Sequence, residues 1–197
     1  VVEEEGILFD NFLLVDGGEF LEDKLRKHLA DHPYPARNPD HNVADLKAQI
    51  AAGEKGVQEV RKMIEQFGLD VVHAYMRHVQ DNAEEQVRRV IDVMQDGEFS
   101  YPTDEGAEIK VKISFNKKER SATVDFTGTS AQRPSNYNAP SAVARSAVLY
   151  VFRCLIDDNI PLNEGCLKPI NFIIPEGCML APKYPATVVA GNVETSQ

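Results

Sequence analysis

The sequence predicts an α+β fold: a mainly antiparallel sheet with a β-hairpin packed against helices, plus a helical layer with one long helix. Three observations carry this. Leu69, Val72, Met76, Val79, Ala83, Val87, Val90, Ile91 and Met94 recur every three or four residues, the stripe of an amphipathic helix. Ile109, Val111, Ile113 and Phe115 alternate with polar residues, and so do Ala122, Val124 and Phe126, on either side of a charged turn at 116–120. That is a hairpin with one buried face. A polar loop then feeds an apolar helix over 141–155.

In chain order, residues 6–15 alternate loosely through Ile7, Phe9, Phe12 and Leu14 and read as one strand or two short ones. Asp16, Gly17 and Gly18 make a turn. Residues 19–29 form a short helix with Phe20, Leu21, Leu25 and Leu29 on one face. His28 and His32 stand at the i, i+4 spacing that can ligate a metal, but Pro33 follows and no third ligand is near, so no metal site is assigned. Asn42 caps a helix over 43–52, which carries Asp45 and Gln49 one turn apart. Gly53 interrupts, and a second helix runs over 55–67 to Gly68. The long helix covers 69–95. Residues 99–106 read as a polar, proline-containing connector before the 108–115/121–127 hairpin. Beyond the 141–155 helix come a polar turn at 160–165, a strand at 169–174 and an irregular stretch at 181–185. A polar tail at 191–197 closes the chain. The organisation is an N-terminal strand, helix and connector (1–42), a helical region (43–97) and an α+β region (98–197).

The 197 residues carry a formal net charge of −10. This excludes nucleic acid and anionic membrane as generic partners, since both need basic surface. No segment approaches the ~20 apolar residues of a membrane span, and the first five residues lack the pattern of a signal peptide. Cys154, Cys166 and Cys178 form no CxxC and fit reduced, buried thiols in a cytoplasmic protein. With no initiator methionine, a fragment truncated at both ends is expected.

The chemistry concentrates after the second hairpin strand. Val124-Asp125-Phe126-Thr127-Gly128-Thr129-Ser130 runs from an apolar strand into hydroxyls and a glycine, and Asn138-Ala139-Pro140 closes the loop. Rims of this kind bind ligands because a rigid scaffold positions a solvent-facing loop. Ordinary turn and cap chemistry uses the same residue types. Neither GxxxxGK[ST] nor GxGxxG is present, and no nucleophile elbow appears. Asp45, Asp125 and Glu194 are the carboxylates flanked by apolar residues, so burial could tune them. They are the candidate catalytic groups. The candidate substrate-binding groups are Gln49, Thr127, Gly128, Thr129, Ser130, Asn138, Asn163, Gly165, Asn192, Thr195 and Ser196. The loops bearing them are expected to converge, at least three of four lining one cleft.

Six signatures in order resemble the hydantoinase B/5-oxoprolinase family: 45–52 (DLKAQIAA), 124–130 (VDFTGTS), 138–140 (NAP), 160–165 (IPLNEG), 174–177 (IPEG) and 191–197 (GNVETSQ). The resemblance covers most of the chain from about Asp45 on. It implies part of one larger domain of an ATP-dependent enzyme that opens cyclic amides, 5-oxoproline or a hydantoin. Relatives of the large subunits of ATP-dependent ketone carboxylases belong to the same family, so the equivalent region of a carboxylase is one alternative. A non-catalytic assembly region is another. It further implies that a separate actin-like A-type subunit or domain handles the ATP, that the enzyme is an oligomer, and that this fragment is inactive alone. The family's acidic, histidine-containing metal motif is not found here, so a divalent metal would lie N-terminal to it. A lactam carbonyl is a poor electrophile until amide resonance is broken. Phosphorylation of the amide oxygen would create a leaving group for attacking water.

Overall fold

The computed structural model describes residue 4 and residues 6–196, with the backbone alone at Ser196. The Ser196 side chain and Gln197 of the last signature therefore lie outside the described residues. The chain divides into two compact units, the first ending at Val72 and the second starting at His73.

In the first unit, β1 (Val15–Asp16) and β2 (Glu19–Phe20) pair antiparallel around the glycine turn. Of the one strand or two short ones expected over 6–15 only Val15 is paired, and Asn11 at φ 48° interrupts extended structure before it. Helix α1 (Glu22–Ala30) buries Leu25 and Leu29 together with Val43. Helix α2 (Pro39–Phe67) is continuous where two helices were expected. Gly53 lowers helix stability by about 1 kcal/mol relative to alanine, too little to break it between Ala51, Ala52 and the Lys55–Glu59 pair at 2.7 Å. The cap also shifts from Asn42 to Asn38, whose Oδ1 accepts the His41 amide at 3.3 Å. Pro39 explains this: its ring is pre-set for the first helical position and it has no amide to satisfy.

Helix α3 (Leu69–Val93) matches the predicted long helix. Its stripe divides. Val72, Ala83, Val87, Val90 and Ile91 are buried, whereas Leu69, Met76 and Val79 are exposed.

The second unit holds a four-stranded mixed sheet in the order β3-β4-β5-β6. Strands β4 (Glu108–Asn116) and β5 (Ser121–Asp125) are the predicted hairpin. Strand β3 (Gly97–Pro102) takes the first half of the expected connector, pairing with β4 as an edge strand whose six residues are all exposed. An edge position tolerates Pro102, since no outer strand needs its missing amide. Strand β6 (Ile170–Ile173) lies parallel to β5. Helix α4 (Ser141–Cys154) covers the 141–155 prediction. Ala122, Val124 and Phe126 pack into one core with Ala83, Val87, Ile91, Ala144 and Phe152.

The hairpin turn is fastened to the end of α3. Lys117 Nζ donates to the carbonyls of Ile91, Asp92 and Met94, orphan acceptors at a helix C-terminus. Arg120 pairs with Asp92 at 2.8 Å and Glu85 at 3.0 Å, and these carboxylates raise its pKa further. A short 3₁₀ turn (Glu164–Leu167) leads into β6, and α5 (Ala190–Ser196) ends the described chain.

Candidate functional site

Because β5 and β6 are parallel, their C-terminal ends open on the same edge, and the loops that follow interlock there. The Phe126 amide donates to Ile173 O at 2.8 Å. The Met179 amide donates to Ser130 O at 2.9 Å and the Gln132 amide to Gly177 O at 2.8 Å. Gln132 Oε1 accepts the Lys183 amide at 2.7 Å. The Ala139 amide reaches Met179 O at 2.8 Å, and the Gly191 amide reaches Asn136 O at 3.2 Å. Parts of four of the six signatures, at 124–130, 138–140, 174–177 and Gly191 of the last, therefore meet along one rim.

Asn138 is the knot of that rim. It is 0% exposed. Its Nδ2 donates to the carbonyls of Arg133, Ser135 and Thr187, and its Oδ1 accepts the Arg133 amide at 2.7 Å. A Cβ on Gly191 would lie 2.4 Å from Asn138 O, so only glycine fits against this peptide. Asn138 is thus consumed by the fold.

Thr129 and Ser130 extend the ladder beyond β5 with side chains. Thr129 Oγ1 accepts the Lys110 amide and donates to Lys110 O, both at 3.1 Å. Ser130 Oγ accepts the Glu108 amide at 2.9 Å, and its own amide donates to Glu108 O at 2.9 Å. Gly128, at φ 92°, supplies the left-handed backbone that this turn needs.

Asp125 differs. Its Oδ1 accepts the Thr127 amide at 2.8 Å, a turn closed by a side chain. The Thr127 side chain first, then that amide, hold the Asp125 carboxyl below the usual carboxylate range, against the partial burial that opposes them; the Lys112 charge adds to the effect. Tuning by burial was the expectation for all three carboxylates. Asp125 is instead acidified by hydrogen bonding, and Asp45 and Glu194 are exposed. Asp125 and the exposed Thr127 line a concavity of about 640 Å³ with Glu98, Ser100, Lys110 and Lys112. The two lysines were missed in the sequence because they read as the solvated face of a hairpin, and Glu98 because no strand was read at its position. Lys112 and Asp125 are paired in register, which their equal distance from the turn makes legible.

Of the remaining candidates, Asn192 and Thr195 follow Gly191 at the rim, Asn163 and Gly165 lie away from it, and Asp45 and Gln49 belong to the first unit. Asn163 caps the 3₁₀ turn at the opposite end of β6 from the rim, its Oδ1 accepting the Gly165 amide at 2.8 Å. Gly165 packs so closely on α3 that a Cβ would sit 2.1 Å from Gln80 O. In α5, Thr195 Oγ1 donates to Gly191 O at 2.7 Å, while Asn192 Oδ1 is buried without a hydrogen-bond partner. Asp45 and Gln49 lie on α2 in the first unit, where Asp45 lines a separate concavity of about 1030 Å³ with Asn38, His41 and Asn42.

Among the described residues no three His, Cys, Asp or Glu side chains are grouped to hold a metal. His28 is stacked against Phe9 and Phe12, at 5.0 and 5.2 Å between ring centroids, and His32 Nδ1 accepts the Tyr34 amide at 3.1 Å. Cys166 and Cys178 are buried free thiols, as expected, whereas Cys154 is exposed on α4. No helix is long and apolar enough to cross a membrane among the described residues.

Comparison with known proteins places this arrangement. The chain is 38% identical over 205 residues to 5-oxoprolinase of Dictyostelium discoideum, covering 100% of this chain and 16% of that protein. It is 41% identical over 204 residues to 5-oxoprolinase PfmaA of Pestalotiopsis fici, covering 98% and 16%. The crystal structure of ATP-dependent caprolactamase from Pseudomonas jessenii shares the fold, with a TM-score of 0.69 and 21% identity over 91% of this chain and 31% of that one. The chain thus spans 16% of the length of the 5-oxoprolinases it matches. The family model described as Hydantoinase B/oxoprolinase matches residues 1–197 in full, and the chain belongs to that family.

Proposed function

We propose that the chain is a segment of an ATP-dependent cyclic amide hydrolase that opens the ring of 5-oxoproline or of a hydantoin. The observation that carries this is the family match over residues 1–197, joined by relatives named 5-oxoprolinase at 38% and 41% identity. In this reading an A-type subunit or domain holds the ATP, whose chemistry activates the amide carbonyl. The whole enzyme is an oligomer of the cytoplasm, a setting that suits three free cysteines. Any divalent metal sits in another part of the protein.

The rim of the second unit supplies hydrogen-bonding groups to the substrate. An acidified carboxylate is a weak proton acceptor. Asp125 therefore orients a ring N–H or a water rather than stripping a proton from it. Thr127, beside it and exposed, has its hydroxyl proton on Asp125 and offers the hydroxyl oxygen as an acceptor to the same ligand. Asn192, with a buried unpaired acceptor, is a further binding candidate, because an unpaired buried group is destabilising until a donor arrives. Asn138, Thr129 and Ser130 hold the rim in shape. Asp45, Gln49 and Glu194 are exposed and contribute from the longer protein's assembled site.

The test is turnover by the full-length protein with its A-type partner and ATP, assayed for glutamate from 5-oxoproline and for carbamoyl amino acids from hydantoins. ATP-dependent ring opening of either is expected. Carboxylation of a ketone in bicarbonate, with neither ring opened, would overturn this reading.

A further inference from the structure

The solvent face of the sheet carries a charge pattern that positions a ligand more narrowly than the rim alone. Register sets Glu98, Lys112 and Asp125 in one row across β3, β4 and β5, with Ser100 opposite Lys110 in a neighbouring row. Residues of both rows and Thr127 line the concavity of about 640 Å³. The Lys110 ammonium is occupied, 3.2 Å from Glu108 Oε2. Its stem passes over Gly128, where a Cβ would meet Lys110 Cδ at 3.2 Å. Lys112 is different: it is exposed and has no ion-pair partner among the described residues, yet its charge reaches Asp125. Asp125, in turn, spends part of its acceptor capacity on Thr127. A carboxylate has about four lone-pair sites, so acceptors remain for a ligand.

A free ammonium and a half-used carboxylate on directly paired residues sit about 5 Å apart at their Cβ atoms. Together they would take a small ligand with an acid on the ring atom next to an N–H. We propose that this concavity binds a lactam acid of the 5-oxoproline class, with the ligand carboxylate on Lys112 and the ring N–H on Asp125. This rests on the function proposed above and adds to it a binding site and the residue that reads the acid. Lys112 is then the specificity-determining residue, since a neutral cyclic amide uses Asp125 alone. Glu98, beyond Lys112, and Glu108, beside Lys110, face the same space and disfavour a second negative charge. The site therefore selects a mono-anion.

The experiment is calorimetric binding of 5-oxoproline and of 2-pyrrolidinone, the same ring without the acid, to the full-length protein with its A-type partner. The wild type should bind 5-oxoproline at least about tenfold more tightly. Lys112→Gln should erase that difference and leave 2-pyrrolidinone binding unchanged, while Lys112→Arg keeps most of it. Lys112 is exposed, so an unchanged melting temperature of the Gln variant checks that it is folded. Equal binding of the two rings by the wild type would overturn the proposal, as would unchanged 5-oxoproline binding by Lys112→Gln or an equal loss of both ligands. Failure of ATP-dependent ring opening would sink the proposed reaction, and the binding comparison would still decide this one.

Discussion

Asn138 and Asp125 are polar side chains at the two ends of one rim segment, yet the fold treats them oppositely. Asn138 is fully buried and spends four hydrogen bonds on the main chain around it. Asp125 is half-exposed, is held by the side chain and amide of Thr127 alone, two residues on, and lines a concavity. Saturation of hydrogen-bonding capacity, rather than residue type, separates a group that builds the site from one that can act in it.

Breaking the saturated member should have the largest effect. Asn138→Ala strands the Arg133 amide and buried carbonyls, at about 1–3 kcal/mol for each unpaired group. Amide hydrogen exchange in the full-length protein should show the rim losing about 3 kcal/mol of local stability. Protection left intact would mean that water replaces the side chain. Gly191→Ala tests the same knot from the other side. Its Cβ would meet Asn138 O at 2.4 Å, and overpacking of this kind is destabilising by about 1–3 kcal/mol, read as faster exchange at the Ala139 amide.

The open member should respond in activity instead. Asp125→Asn keeps an oxygen for the Thr127 amide, so the melting temperature should hardly move. Turnover by the full-length enzyme with its partner and ATP should fall more than about tenfold, ~1.4 kcal/mol in barrier. A variant that unfolds while keeping its activity per folded molecule would make Asp125 structural. The smallest effect is on acid stability. The folded carboxyl titrates below its ordinary value, so its contribution is present above the unfolded pKa and is lost as pH falls through the folded one. Wild type should therefore lose slightly more stability than Asp125→Asn on going below about pH 4, measured by thermal denaturation at a series of pH values.

The same distinction explains what the sequence revealed. Periodicity reports burial, so the hairpin strands and the stretch from Ala83 to Ile91 were legible from Ile109, Val124 and Val87 and their neighbours. It is silent where nothing is buried: β3 is exposed along its length, with Phe99 and Tyr101 at 66% and 58%, and read as a connector. Gly53 read as a break because propensity is local, whereas the flanking alanines and the Lys55–Glu59 pair carry α2 through. The polar loops were visible, but not which of their groups the fold would saturate, because that depends on partners far along the chain. Thr187 lies beside Asn138, and Met179 beside Ser130 and Ala139. Asn163 looked like the others and sits at the other end of β6.

The parallel pairing of β6 with β5 also sets an order of assembly. Strand β5 meets β4 across a short turn, whereas Ala122 must wait for Ile170, with α4 between them. Hairpins form in about 1–10 μs, and closure entropy rises with the length of chain enclosed. The hairpin therefore zips early, and the rim, which needs both loops, is completed last. Contacts made after the folding barrier leave their mark on the reverse reaction. Damage at Asn138 or Gly191 should shorten the lifetime of the native rim while leaving the speed of refolding almost unchanged.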